Sequence, residues 1–205
     1  MSSREPLLHP VPIRELKPTQ MTVGMREVEE KRQRWREAHG KRKAKFLGQH
    51  MIPVLKGPKS AFYVIDHHHL ARALHEEGQR DVLVNVVFDL SALSRDEFWT
   101  VCDHKGWAHP YDQHGKRRSF ADIPKSIEAL ADDPYRSLAG ELRRAGGYAK
   151  DTTPFSEFLW ASFLRTRVKR RVIDQDFAKA IELALSHARS TEANYLPGWC
   201  GPLRD

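Results

Sequence analysis

The sequence predicts an α+β fold in which a small mixed sheet with packed helices is followed by a mainly α-helical C-terminal half. Short β-rich runs at 52–55, 61–65 and 82–90 alternate with helical patterns before residue 105, and beyond Trp107 amphipathic helical patterns follow one another with prolines near their starts. This divides the chain into a sheet-containing domain at 10–105 and a mainly helical region at 106–205.

Residues 11–16 read as a strand, and Lys17-Pro18-Thr19-Gln20 as a turn, because the residue before a proline is disfavoured in helical geometry. From Met25 to about His39 helix formers dominate, with Val28 and Trp35 on one side and charges elsewhere, so this helix is mostly exposed. Runs 52–55 and 61–65 flank Gly57-Pro58, which marks the turn of a hairpin. Asp66 stands at the N-cap position of the next helix, Leu70, Ala73 and Leu74 make its apolar face, and Gly78 stops it. The run 82–90 is a further buried strand. Ser94-Arg-Asp-Glu97 has the form of a capping box and opens a helix with Phe98, Val101 and Cys102 inward and Gly106 at its end.

In the second half, Ile123-Pro124, Asp133-Pro134 and Thr153-Pro154 each place a proline near a first helical turn. Apolar stripes follow at Leu138 and Leu142, at Phe155, Phe158, Leu159 and Phe163, and at Phe177, Ile181 and Leu185. The aromatic stripe reads as core, with the basic residues of 165–171 on the solvent side.

Hydrophobic residues at 40% and charged residues at 30% fit a soluble chain, and no run approaches the roughly 18 apolar residues of a membrane span. Met1-Ser-Ser-Arg-Glu-Pro6 lacks the apolar run of a signal peptide, so a cytoplasmic location is expected. Cys102 and Cys200 read as free thiols, Cys102 as a packing residue. The net charge of +7, concentrated at 31–36, 41–45, 116–118 and 169–171, favours polyanionic partners.

The segment Tyr63-Val-Ile-Asp66-His-His-His69-Leu-Ala-Arg72 carries the chemistry. A buried strand feeding a helix start presents free backbone N–H groups and the positive end of the helix dipole, which attract anions. At helical spacing Arg72 shares a face with His68 and His69, whereas His67 lines up with Leu70 and Leu74 and is expected to turn inward. A second polar cluster, His109, Asp112 and His114, has side chains suited to a divalent metal and reads more simply as a surface loop that could fold over the first site.

Ile52-Pro-Val-Leu55, Phe62-Tyr-Val-Ile-Asp66-His-His-His-Leu-Ala-Arg72 and Val84-Asn-Val-Val87 together resemble the core of the ParB/sulfiredoxin superfamily, where a strand leads into a helix with a nucleotide-phosphate motif. Asp66-His67-His68-His69 is most similar to the Asp-Gly-His-His-Arg motif of the free serine kinases. His67 stands at the Gly position and Leu70 at the Arg position, and Gln20 lies roughly where those kinases carry a catalytic Glu. The motif lacks the Cys of sulfiredoxins. More specifically, Leu16-Lys-Pro-Thr-Gln-Met-Thr-Val-Gly24 through Asp133-Pro-Tyr-Arg-Ser-Leu138 resembles the ParB-like nuclease family, with its Pro-Thr-Gln and Asp-His-His-His signatures.

Residues and resemblance together lead to the expectation of a protein that binds a nucleotide or small phosphorylated ligand, with phosphoryl transfer or phosphoester hydrolysis as its reaction. Asp66, His68 and His69 are the expected catalytic residues and Arg72 the phosphate-neutralising one. Gln20, Thr22, Gly24 and Lys31 are expected ligand contacts, the helix start at Gly24-Met25 forming a second anion site. A nucleotide and Mg²⁺ are the candidate cofactors. The alternative is a non-catalytic adaptor whose basic helical half contacts DNA.

Overall fold

The computed structural model describes residues 8–38 and 41–202; the Met1-to-Pro6 segment and the expected helix end at His39 lie outside them. The strands are β1 (Leu8–Pro12), β2 (Lys17–Pro18), β3 (Thr22–Val23), β4 (Ile52–Lys56), β5 (Phe62–Val64), β6 (Asp81–Asp89) and β7 (Ala131–Asp132). Five of them form a mixed sheet in the order β1-β6-β4-β5-β2, and β3 pairs with β7 in parallel. The helices are α1 (Met25–Glu37), α2 (Lys41–Gln49), α3 (His68–Glu76), α4 (Arg95–His104), α5 (Pro134–Arg144), α6 (Ser156–Arg165), α7 (Arg170–Gln175) and α8 (Phe177–Ala188). This is the expected α+β architecture with a helical C-terminal half. Among the described residues no helix is long and apolar enough to cross a membrane.

The hairpin forms as its turn signal predicts, with Val54 opposite Val64 in antiparallel β4 and β5. Strand β6 pairs with the far edge of β4, so the connection from β5 through α3 to β6 passes over β4, and α3 buries Leu70, Ala71, Ala73 and Leu74. Glycine supplies the expected stop: Gly78 takes φ +69 and the Gln79 amide donates back to the Leu74 carbonyl.

Three elements differ from expectation. The strand placed at 11–16 ends at Pro12 and tightens into a 3-10 turn at Ile13–Glu15, although Ile13 and Leu16 still point into the core. Lys17-Pro18 then pairs with Tyr63 and Val64 instead of turning, at an edge position where a missing N–H breaks no ladder. Strand β6 is buried only in its first half. A bulge lets Val87 slip between the Val54–Val86 and Leu55–Phe88 pairs, leaving Val87 40% and Phe88 51% exposed.

The capping box opens α4 as read, with the Ser94 hydroxyl and Glu97 carboxylate reciprocally bonded. Its inward face is Phe98, Trp99 and Cys102, with Val101 only half-buried. Burial pushes the Cys102 thiol up to about 12, whereas Cys200 is exposed. A maleimide should therefore modify Cys200 in the native protein and reach Cys102 only in denaturant, as peptide mass mapping would show.

Of the three prolines, Pro134 starts a helix, with the Asp133 carboxylate accepting from the Tyr135 amide. Pro124 precedes only a 3-10 turn, and Pro154 precedes the left-handed Phe155 that caps α6. Trp160 and Phe163 enter the second core, Phe158 is buried outside it against His109 and Arg136, and Leu159 stays 45% exposed. On α8 the expected stripe Phe177, Ile181 and Leu185 packs partly buried against the second core, while the fully buried line is Ala180, Ala184 and Ala188, whose small side chains allow close approach to α5 and α7.

The two halves are stitched together between Ile127 and Asp133. Ile127 and Leu130 sit in the first core, and β7 pairs Ala131 and Asp132 with Thr22 and Val23. Gln20 forms a bridge with His109, whose amide donates to the Thr19 carbonyl. The loop expected to fold over the first site thus packs beside Thr19 and Gln20.

Candidate functional site

The site is built where β5 runs into α3. Asp66 does not cap the helix: its Oδ1 accepts from the His67 amide at 2.6 Å, and His67 itself is the N-cap with φ +63. The left-handed backbone swings the His67 ring off the helix face into the exposed rim, with Nδ1 3.0 Å from the Met51 carbonyl, so the expected inward turn does not occur. The first intrahelical bond runs from the Ala71 amide to the His67 carbonyl, so the amides of His68, His69 and Leu70 precede the ladder.

His68 and His69 both turn inward, toward the 19–24 loop. His68 Nε2 accepts from the Thr19 amide at 3.3 Å, and Thr19 Oγ1 donates to the Val64 carbonyl. His69 Nε2 accepts from the Gly24 amide at 3.0 Å, with Nδ1 3.6 Å from Glu27 Oε2. Burial, helped by the neighbouring His69 and Arg136, lowers His68 to about 3. Burial lowers His69 to about 4 despite the Glu27 carboxylate. Both rings are therefore neutral at pH 7 and carry their proton on Nδ1, since Nε2 is the acceptor. They are the pins that hold the Pro18-Thr19-Gln20 loop onto α3.

That pinning closes the second expected anion site. At the start of α1 the Gly24 amide is taken by His69, the Met25 amide by Asp132 Oδ1 and the Arg26 amide by Ser137 Oγ. Gly24 is required there, because a Cβ would lie 2.8 Å from the Ser137 backbone nitrogen. Thr22 is buried in β3, where its carbonyl accepts from Gln20 Nε2.

Arg72 also has another task. It does share a helix with His68, but its Nη1 donates to the carbonyls of Glu128 and Leu130 at 2.5 and 2.9 Å and its Nε to Glu76. The guanidinium clasps the 127–130 turn and does not line the cleft. Arg72→Ala should destabilise the fold by about 1.5–3 kcal/mol, the scale of hydrogen bonds to a charged group, measured by urea unfolding. It should leave ligand affinity at the cleft within about twofold, a factor worth only ~0.4 kcal/mol.

The cleft has two lobes, of about 320 and 310 Å³, sharing a wall of Gln20, Asp66, His68, Arg136 and Glu157. One lobe is completed by Ile65, Pro154, Phe155 and Phe158, the other by Lys31, Arg34, Arg143 and Lys150 among others. Sequence reasoning missed the central member, Arg136. It leaves α5 one turn after Asp133-Pro134, is 6% exposed, and lies over the Phe158 ring at 3.6 Å. Burial lowers its pKa, offset by Glu157, Glu27 and Asp133. Its ion pair with Glu157 is long, 3.4 Å, and its Nε has no partner. A charged residue among Tyr135, Leu138, Ala139 and Leu142 on an otherwise apolar helix face was the available signal.

The rim cations differ in their commitments. Lys31 pairs with Glu27 at 3.2 Å and Arg143 with Glu157 at 2.8 Å, while among the described residues Arg34 and Lys150 have no carboxylate partner. Burial raises the Glu27 carboxyl, but positive charge beside it, from His69 when that ring is protonated and from Lys31 and Arg136 throughout, outweighs burial and lowers the group below its ordinary value. Among the described residues no three His, Cys, Asp or Glu side chains converge as a metal-binding group. Asp112, once a candidate ligand, accepts from the His114 and Lys116 amides and from Arg118 and closes its own turn.

Residues 9–166 match a family model described as "Putative ParB-like nuclease". The chain belongs to this ParB-like family. The matched residues include both the Asp66-to-His69 turn and Arg136. The chain is also similar to a solved structure titled "Crystal structure of protein Atu1540 from Agrobacterium tumefaciens", at 52% identity, with 97% of this chain and 100% of that one covered and a TM-score of 0.91. No curated protein matches the chain. Of the expected site residues of this ParB-like protein, Gln20, Lys31, Asp66, His68 and His69 meet at the cleft, and Thr22, Gly24 and Arg72 lie behind or away from it.

Proposed function

We propose that the protein binds a nucleotide or other phosphoester in the two-lobed cleft and catalyses phosphoryl transfer or phosphoester hydrolysis there. The observation that carries this reading is the buried Arg136 guanidinium, whose unpartnered Nε belongs to the same wall as Asp66 and the first turn of α3. A buried polar nitrogen without a partner is uncommon and destabilising, and an anion would satisfy it. The amides of His68, His69 and Leu70 add the partial positive charge of a helix start.

In this reading Arg136 neutralises the phosphate, with Lys31, Arg34 and Lys150 taking further negative charge, and the Phe155 and Phe158 lobe receives an apolar or aromatic part of the ligand. His68 and His69 act through position: their Nε2 atoms accept from the Thr19 and Gly24 amides and so hold Gln20 and α3 in register. Asp66, the exposed carboxylate of the shared wall, is the candidate proton acceptor. It would also be the side chain to share a Mg²⁺ with a bound phosphate, since Mg²⁺ commonly uses one or two carboxylates plus phosphate oxygens.

A thermal-shift screen of nucleotides and a short oligonucleotide, each with and without Mg²⁺, tests the proposal, because a ligand selective for the native state raises the melting temperature. The best ligand is then titrated by calorimetry. Arg136→Gln should weaken it at least tenfold, the scale of one charge-assisted hydrogen bond of about 1.5–3 kcal/mol. Asp66→Asn should abolish turnover with binding retained. Equal affinity in wild type and folded Arg136→Gln would remove the cleft as the binding site. Binding of long duplex DNA alone, unaffected by Arg136→Gln, would favour the adaptor reading.

A further inference from the structure

A second groove, of about 210 Å³, shares no residue with the cleft. It opens along the sheet edge between β2, the turn before β5, the start of α4 and the 120–125 segment. Four cations line it, Lys17, Lys59, Arg95 and Lys125, and no carboxylate is among its lining residues. Among the described residues none of the four makes an ion pair, although paired Arg and Lys side chains are common over the rest of the surface. The floor is aromatic. Trp99 and Phe120 stack 3° from parallel at 5.5 Å, and Tyr63 meets Trp99 edge-on, with the Lys17 ammonium 5.6 Å from the Tyr63 centroid.

We infer that this groove binds a single-stranded nucleic acid segment, with a base against the Tyr63 and Phe120 rings and phosphates on the four cations. Aromatic faces interleaved with unpaired cations match both halves of a nucleotide strand, and base stacking tolerates any sequence. An acidic peptide would satisfy the cations but leave the rings unused. It would also find little backbone to pair with: the edge strand is two residues long and one is Pro18, which has no N–H to offer. Lys59 and Ser60 hold left-handed conformations at φ +58 and +55, which turn this corner of the groove rim outward.

The test is fluorescence anisotropy of a labelled twelve-nucleotide oligo-dT at several salt concentrations. Both Lys59 and Lys125 are exposed, so the K59E/K125E variant should fold, which circular dichroism checks. It should bind at least tenfold more weakly, and its plot of log affinity against log salt should flatten by about 1.4, at about 0.7 per single-strand phosphate contact. Phe120→Leu should lose about fivefold with the salt slope unchanged, the low end of one base stack. A matched reversal on α8, K179E/R189E, should change affinity less than twofold. Equal losses in the two double variants would reduce the effect to net charge and overturn the proposal. So would wild-type affinity in Phe120→Leu, or displacement by polyglutamate more readily than by unlabelled oligo-dT.

Discussion

Acidification from pH 7.5 to 5 is expected to destabilise the native protein by about 2 kcal/mol for each of three imidazoles, the buried His68 and the half-buried His69 and His109. Burial holds them near 3, 4 and 3 in the native state, against an ordinary 6.5. Each native value is depressed, so the unfolded chain takes up these protons first. The associated stability is fully present above about 6.5, falls as the pH drops below it, and is lost completely only once each native pKa is passed. His68 and His69 pin the Thr19-to-Gly24 loop, and His109 lies against Phe158 with ring centroids 3.7 Å apart. Urea unfolding at half-unit pH steps would measure the slope. Stability that stays level between pH 7 and 5 would mean that the imidazoles are accessible to protons in the folded state.

Asp133→Ala should be the most damaging single substitution outside the apolar cores, at about 3–5 kcal/mol, the range for breaking a buried ion pair from one side. The carboxylate is 2% exposed and does two jobs: Oδ2 takes Arg165 Nη2 at 2.6 Å, and Oδ1 caps α5 through the Tyr135 amide. Removing it leaves the Arg165 guanidinium, whose Nε already lacks a partner, with only the Gln113 carbonyl to donate to, over the Tyr135 ring. Asp133→Asn keeps the cap and loses the charge, so it should fall between wild type and alanine. A denaturation midpoint for Asp133→Ala that matches wild type would show the pair to be dispensable. The contact also corrects the sequence reading of 165–171 as a solvent face, since Arg165 turns inward while Lys169, Arg170 and Arg171 remain exposed.

What could be read from the sequence was local. Gly57-Pro58, the Ser94 capping box, Gly78, Gly106 and Asp133-Pro134 act within a few residues of themselves, and each sits where its chemistry requires. The strand-to-helix turn at Asp66 was legible for the same reason. The partners of Arg72 were not legible because helical spacing fixes which face a residue shares but not what packs against that face; the 127–130 turn does so here. His67 was misassigned because a left-handed backbone at a residue other than glycine leaves no trace in composition. Arg136 reaches the cleft only because β7 pairs with β3 across more than a hundred residues, and pairing at that separation is not encoded in any local pattern.

That β3–β7 pairing has a consequence for how the chain is made. The sheet is complete in sequence once Asp89 has been synthesised, yet the turn that covers α3 and the strand that receives Val23 come only with Asp132, 43 residues later (132 − 89). At translation speeds of about 5–20 residues per second, the nascent N-terminal half waits roughly 2–9 s with Val23, Leu70 and their neighbours lacking that cover. A ribosome stalled between those points should carry a protease-sensitive, chaperone-bound domain, and one stalled beyond the exit of residue 144 a protected one.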